Sequence, residues 1–136
     1  MTKRTVTIEG LPELKRKLLD MSEATRQAKL EAAVLTGGQP IKNEAQVRAP
    51  VKTGTLRRDI TVQIVESTPT SAIAAIGTSV PYGPRIEFGF NGRDKLGRLY
   101  SQPAQPYLRP AFDQERENAY LEIQDALRDA INDAID

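Results

Sequence analysis

Apolar positions along this chain change rhythm twice. Leu14, Leu18, Met21, Thr25, Ala28, Ala32 and Leu35 recur every three or four residues, the spacing of one face of an amphipathic helix. Lys15, Arg16, Lys17, Glu23, Arg26, Lys29 and Glu31 mostly fall off that stripe. Pro12 suits a first helical position, where its missing N–H is no loss, and Glu13 complements the helix dipole. Ahead of them Thr5-Val6-Thr7-Ile8 alternates as a short half-buried strand would, and Gly10 ends it. Thr36-Gly37-Gly38-Gln39-Pro40 then interrupts the helix. An interior glycine costs ~1 kcal/mol and an interior proline ~3 kcal/mol relative to alanine. The expectation is a bend or short loop, with a second helical piece from Ile41 through Arg48.

The second change falls at Ala49–Ile60, read as Ala-Pro-Val-Lys-Thr-Gly-Thr-Leu-Arg-Arg-Asp-Ile. Pro50 cannot continue a helix and biases Ala49 away from helical angles. Thr53-Gly54 supplies a turn in which Gly54 takes a positive φ at no steric cost. Thr55 then caps a short helical turn, Leu56 reaches back into the core, and Arg57 and Arg58 remain as a cationic pair at the corner. From Ile60 the period is two. Ile60, Val62 and Ile64 face one way, with Thr61, Gln63 and Val65 opposite. Ser67 to Ser71 is a turn by composition. Ala72 to Thr78 is a return strand whose small residues let a helix lie close. Val80-Pro81-Tyr82-Gly83-Pro84 reads as a rigid bridge, and Arg85 to Phe88 as a short extended segment.

Gly89 to Ala104 has no clear period. A structureless stretch of this length is long for a compact domain, and such loops are usually functional or disordered. Asn91-Gly92 offers instead the two-residue turn of a β-hairpin, so the segment is a protruding loop or a β-arm. Pro103, Pro106 and Pro110 precede the last helix, with Pro110 at its first position. Phe112, Ala119, Tyr120, Ile123, Leu127, Ala130, Ile131 and Ala134 form its apolar stripe. At about 25 residues this helix would run about 38 Å, so its far end packs on a neighbour or frays.

Composition narrows what such a fold can do. With 136 residues, 39% hydrophobic and 27% charged, the chain reads as one domain spanning 1–136, an ordinary globular α+β protein. The predicted core is a small, mainly antiparallel sheet packed by a long broken N-terminal helix and a C-terminal helix. No stretch approaches the roughly 18 apolar residues of a membrane span, and no secretory segment is evident at the N-terminus. Cysteine and histidine are both absent. That removes disulfides and thiolate metal sites, together with the commonest general base and metal ligand. Net charge is +1 but uneven. Residues 1–66 hold 12 basic against 8 acidic side chains, 67–109 hold 5 against 2, and 110–136 hold 2 against 8. A basic body with an acidic last helix suits self-association or docking between unlike neighbours; an acidic solvated face is the plainer reading.

Candidate chemistry is sparse. Glu87, flanked by Ile86 and Phe88, is the one carboxylate in an apolar setting. It lacks a second carboxylate at a paired spacing, so a salt bridge to Arg57, Arg85 or Arg109 is expected rather than catalysis. Asp59 and Asp94 stand isolated and make no metal cluster. Gly37-Gly38 lacks the ending of a phosphate-binding loop. Arg57, Arg58, Arg93, Lys95 and Arg98 would suit phosphate contacts that read no sequence. Aromatics are only 5%, thin for a base-stacking platform.

Three stretches together resemble a known family. They are the elbow with Pro50, Thr53, Gly54, Leu56, Arg57 and Ile60; Tyr82 with Ile86-Glu87-Phe88-Gly89; and Gln105-Pro106-Tyr107-Leu108-Arg109-Pro110-Ala111-Phe112. In this order the chain resembles, from about Leu11 to its C-terminus, the head–tail joining or tail-completion proteins of lambda-like long-tailed phages. The resemblance implies a virion structural protein of the neck, with no enzymatic activity and no cofactor, assembled in the host cytoplasm. It would form a homo-oligomeric ring around the DNA channel and contact head-completion, tail-terminator or tail-tube proteins, with no membrane partner. Pro50, Gly54, Leu56, Phe88 and Pro110 would shape the subunit. Arg57, Arg58, Arg93, Lys95 and Arg98 would meet other subunits or the DNA. A small DNA-binding protein without sequence preference is the alternative.

Overall fold

A computed structural model describes residues 12–51, 54–93 and 95–135. The strand expected at Thr5–Ile8, together with Thr53 and Asp94, lies outside them. The order of elements is α1 (Pro12–Leu19), α2 (Glu23–Arg48), α3 (Thr55–Asp59), β1 (Thr61–Thr68), β2 (Ser71–Gly77), α4 (Gly83–Phe88), β3 (Phe90–Arg93), β4 (Leu99–Gln102) and α5 (Leu108–Ile135). The architecture is α+β, as expected, with one departure in the sheet. Instead of one small sheet, the described residues form two separate antiparallel ribbons, β1–β2 and β3–β4.

Helix α2 overturns the short loop, one of the two expectations at 36–40. It runs unbroken through Gly37, Gly38 and Pro40. The interruption lies earlier, at 20–22, where the Ser22 hydroxyl accepts the Thr25 N–H at 3.3 Å and starts α2 afresh. The buried face of α2 is therefore Arg26, Ala33, Val34, Gly37, Gly38, Ile41 and Ala45. Thr25, Ala28 and Ala32, placed by the sequence on the core stripe, are exposed, and Arg26, placed off it, is buried. Tertiary packing outweighs local propensity here. A Cβ on Gly37 would lie 2.2 Å from Ile123 Cγ1 of α5, and one on Gly38 would lie 2.6 Å from Val62 Cγ1 of β1. At these two glycines α5 and the ribbon come too close to α2 to leave room for a side chain.

Helices α2 and α5 lie antiparallel as the spine. Ala45 and Ala49 share a core cluster with Tyr107, Leu108 and Ala111 at one end, while Leu18 and Ala33 pack with Ile123, Leu127 and Ile131 at the other. At 28 residues, α5 is about 42 Å long, and as far as Ile131 its apolar stripe is covered by α1 and α2 of the same chain. Burying each such aliphatic side chain is worth about 1.5–3 kcal/mol, which is why this pair dominates the fold.

Ribbon β1–β2 pairs Thr61 with Gly77 and Thr68 with Ser71, with a register shift between Ile64 and Glu66. The alternation seen in the sequence holds: Ile60 is buried and Val62 and Ile64 half-buried, while Thr61, Gln63 and Val65 are exposed. Buried Ala75, Ile76 and Gly77 let β2 lie close on α2.

Candidate interaction site

The N-terminus of α5 begins with amides that have no intrahelical partner. Four such N–H groups open any α-helix, counting from its cap. Pro110 is the third helical residue rather than the first, and brings none. The other three are met by one buried side chain. Glu87 Oε2 accepts the Tyr107 and Leu108 N–H groups at 2.7 and 2.9 Å, and its Oε1 accepts the Arg109 N–H at 3.1 Å. The expected salt bridge from Glu87 to Arg57, Arg85 or Arg109 is thus replaced by a helix cap reached across the fold. The cause is local. Residues Gly83–Phe88 are helical rather than extended, and this turn aims Glu87, 3% exposed, at amides whose dipole favours a carboxylate.

Tyr107 seals the same corner. Its hydroxyl donates to the Gly83 carbonyl at 3.2 Å. Burial, and then the charge of Glu87, push its phenol up to about 12. The Gln105 N–H donates to the Ile86 carbonyl at 2.7 Å. Both ends of the intervening segment are therefore pinned at one place.

From that root β3 and β4 project as an arm, paired from Phe90–Gln102 out to Arg93–Leu99. The β-arm reading holds, but Asn91-Gly92 lies within β3 and the described turn residues are Lys95 and Leu96. Arg93 Nη1 donates to the Gly97 carbonyl across that turn at 3.1 Å, and the Arg85 guanidinium lies 4.2 Å from the Phe90 ring centroid at the base. Arg93, Lys95 and Arg98 are all exposed. So are Leu96, at 79%, and Leu99, at 74%. Phe88, one of the motif residues, is 66% exposed beside the root. With Phe90, Ser101 and Pro103 it lines an open hollow of about 350 Å³. Its helix turns Glu87 inward, and that turns Phe88 out.

Four features of the elbow are described, with Lys52 and Thr53 outside the described residues. Ala49 caps α2 in extended conformation, Pro50 is half-buried, Gly54 takes φ +79°, and Leu56 is fully in the core. Gly54 itself, rather than Thr55, is the N-cap of α3. Arg57 and Arg58 are exposed; Gln46 Nε2 donates to the Arg57 carbonyl at 3.1 Å, and Arg57 Nη2 reaches the Val47 carbonyl at 3.5 Å. The five candidate cations thus divide between two elements, a pair on α3 and a trio on the arm. Of the third motif Leu108 is buried, Pro110 half-buried and Pro106 exposed, while Gly89 is the cap that ends α4.

Two polar anchors escaped the sequence reading. Arg26 donates through Nε to the Pro69 carbonyl of the β1–β2 turn. Its Nη1 donates to the carbonyls of Leu19 and Met21, both at 3.3 Å, behind α1. The signal was its spacing of 7, 8, 11 and 12 from Ala33, Val34, Gly37 and Gly38, visible once glycines count as contact residues. Asp59, read as isolated, accepts Thr78 Oγ1 at 2.5 Å and the Ser79 N–H at 2.7 Å. These bonds hold its carboxyl below the ordinary 3.8, against a smaller opposing effect of desolvation. Among the described residues no group of three or more carboxylates could hold a metal ion, and no helix is long and apolar enough to cross a membrane.

The described residues thus form an α+β body from which a rooted, exposed arm projects. Residues 12–89 match the HK97-gp10-like family, described as "Bacteriophage HK97-gp10, putative tail-component". The match covers more than half of the chain, and the chain belongs to this family of phage tail components. No curated protein and no solved structure matches it. The match runs from α1 to the end of α4 and so takes in the elbow and Glu87. The stretch Gln105–Phe112, also part of the resemblance, lies beyond it.

Proposed function

We propose that the protein is a virion structural component of the phage neck, forming a ring that completes the tail or joins it to the DNA-filled head. Membership of a tail-component family is the observation that carries this reading. The arm supports it: exposed leucines and cations on a hairpin with a fixed root are suited to contact with another subunit. Partners would be further copies of the chain and the head-completion, tail-terminator or tail-tube proteins above and below. The protein would be assembled in the host cytoplasm and end in the virion.

The test is electron microscopy of particles made when the gene is disrupted. Filled heads beside separate tails are expected; fully tailed, infectious particles would overturn the assignment. A second reading, contact with passing DNA, draws on the exposure of Arg57, Arg58, Lys95 and Arg98. It requires duplex binding that falls steeply with salt.

A further inference from the structure

The exposed face of α5 carries a pattern that mirrors the arm. Asp113, Glu117, Leu121, Asp125 and Asp129 recur every four residues, which places them along a single ridge of the helix. All five are exposed, Leu121 at 53%. The buried ridge of Ala119, Ile123, Leu127 and Ile131 is offset from it by two positions, about 200° around the axis. The outward ridge is therefore a leucine between two pairs of carboxylates, with Arg116 and Arg128 beside it. The tip of the arm is the converse, Leu96 and Leu99 among Arg93, Lys95 and Arg98. Both apolar spots face solvent in the single chain.

We infer that the arm of one copy seats on the outward ridge of α5 of the next, Leu96 against Leu121, with Lys95 and Arg98 beside Asp125 and Asp129. Opposite charges steer this approach and set its register, while the leucines supply apolar area. Donor and acceptor surfaces differ, so the contact is head-to-tail, the kind that closes into a ring when its rotation permits. The inference deepens the ring reading above and rests on it.

The chain has no cysteine, which makes a cross-linking test clean. Full-length Leu96→Cys and Leu121→Cys chains are mixed and oxidised. A disulfide-linked dimer containing one chain of each kind is expected, far exceeding that from either alone. A second pair of variants tests the charges. Lys95→Glu/Arg98→Glu and Asp125→Lys/Asp129→Lys should each lower self-association at least about tenfold by sedimentation, with unchanged circular dichroism, and mixing them should restore it. Absence of the mixed dimer, a wild-type chain that stays monomeric, or charge variants that associate like wild type would overturn the arm-to-helix contact. An arm variant that loses duplex binding yet sediments like wild type would assign its cations to DNA instead. Separate heads and tails on gene disruption would leave the neck reading standing in each of these cases.

Discussion

The arm and its root are neighbours in sequence but opposites in construction. At the root, one carboxylate takes three amides, a tyrosine hydroxyl reaches a carbonyl, and every side chain that matters is buried. A few residues away Leu96 and Leu99 stand in solvent beside three cations. Two-stranded ribbons are marginal by themselves. The root supplies what the arm lacks, holding its two ends together and thereby fixing where it emerges. Stability is concentrated in the body and contact chemistry in the arm, so changes in the two should separate cleanly.

The largest effect is expected at the root. Glu87→Ala orphans three amides, two of them buried, and should lower unfolding free energy by about 3 kcal/mol in a urea titration. Glu87→Gln keeps an acceptor but loses the charge facing the helix dipole, a loss of about 1 kcal/mol. A loss from Glu87→Ala below that of Glu87→Gln would mean that the cap is incidental. Tyr107 offers an independent readout. Its folded value of about 12 lies above the ordinary 10, so the native state holds its proton more tightly. That contribution to stability is complete below pH 10 and is lost as pH rises through the folded value. In Glu87→Gln the charge is gone, so ultraviolet titration should show the slow tyrosine ionising at lower pH.

Next comes the contact between the two long helices. Gly37→Val would put a side chain where Ile123 Cγ1 is 2.2 Å from even a Cβ. Overpacking of this kind should cost about 2 kcal/mol, read as a lowered urea midpoint with circular dichroism still helical. An unchanged midpoint would mean that α5 can shift away from α2 at little cost.

These two corners show where sequence reading succeeds and fails. The end of α2 at Ala49-Pro50, the positive φ of Gly54 and the inward Leu56 were legible because each depends on its immediate neighbours. The alternation of β1 and the stripe of Ile123, Leu127 and Ile131 were legible as periodicity. The face of α2 was not. Its contact residues include two glycines and an arginine, which hydropathy scores as a break and a solvated charge, yet their partners are Ile123, Val62 and the Pro69 carbonyl, far along the chain. Glu87 failed in the same way. Its partners are backbone amides, which no residue letter marks, so an arginine was the natural guess.

A smaller effect belongs to the link between α3 and the end of β2. Asp59 is held below its ordinary value chiefly by Thr78, then by the Ser79 N–H. A carboxyl with a depressed folded value contributes stability above its unfolded value, and that is lost as pH falls through the folded one. Asp59→Asn should therefore melt below wild type at neutral pH, with the gap closing in acid. A gap independent of pH would locate the effect in shape rather than charge.

The smallest effect on folding, and the sharpest test of the contrast, is removal of the arm's tip. Deleting Arg93 through Arg98 takes away the exposed cations and Leu96 at the tip, and leaves Glu87, Tyr107 and the Gln105–Ile86 bond in place. Exposed positions contribute within about 0.5 kcal/mol each way, so the urea midpoint should barely move and the transition should stay cooperative. Incorporation into particles should nevertheless fall, because the basic, leucine-bearing tip is gone. Loss of the cooperative transition would show that the arm helps to hold the body, and the division between a stabilising root and a contacting tip would fail. Retained melting with normal particles would fault the other half: the body would fold without the tip, and the tip would have no part in assembly.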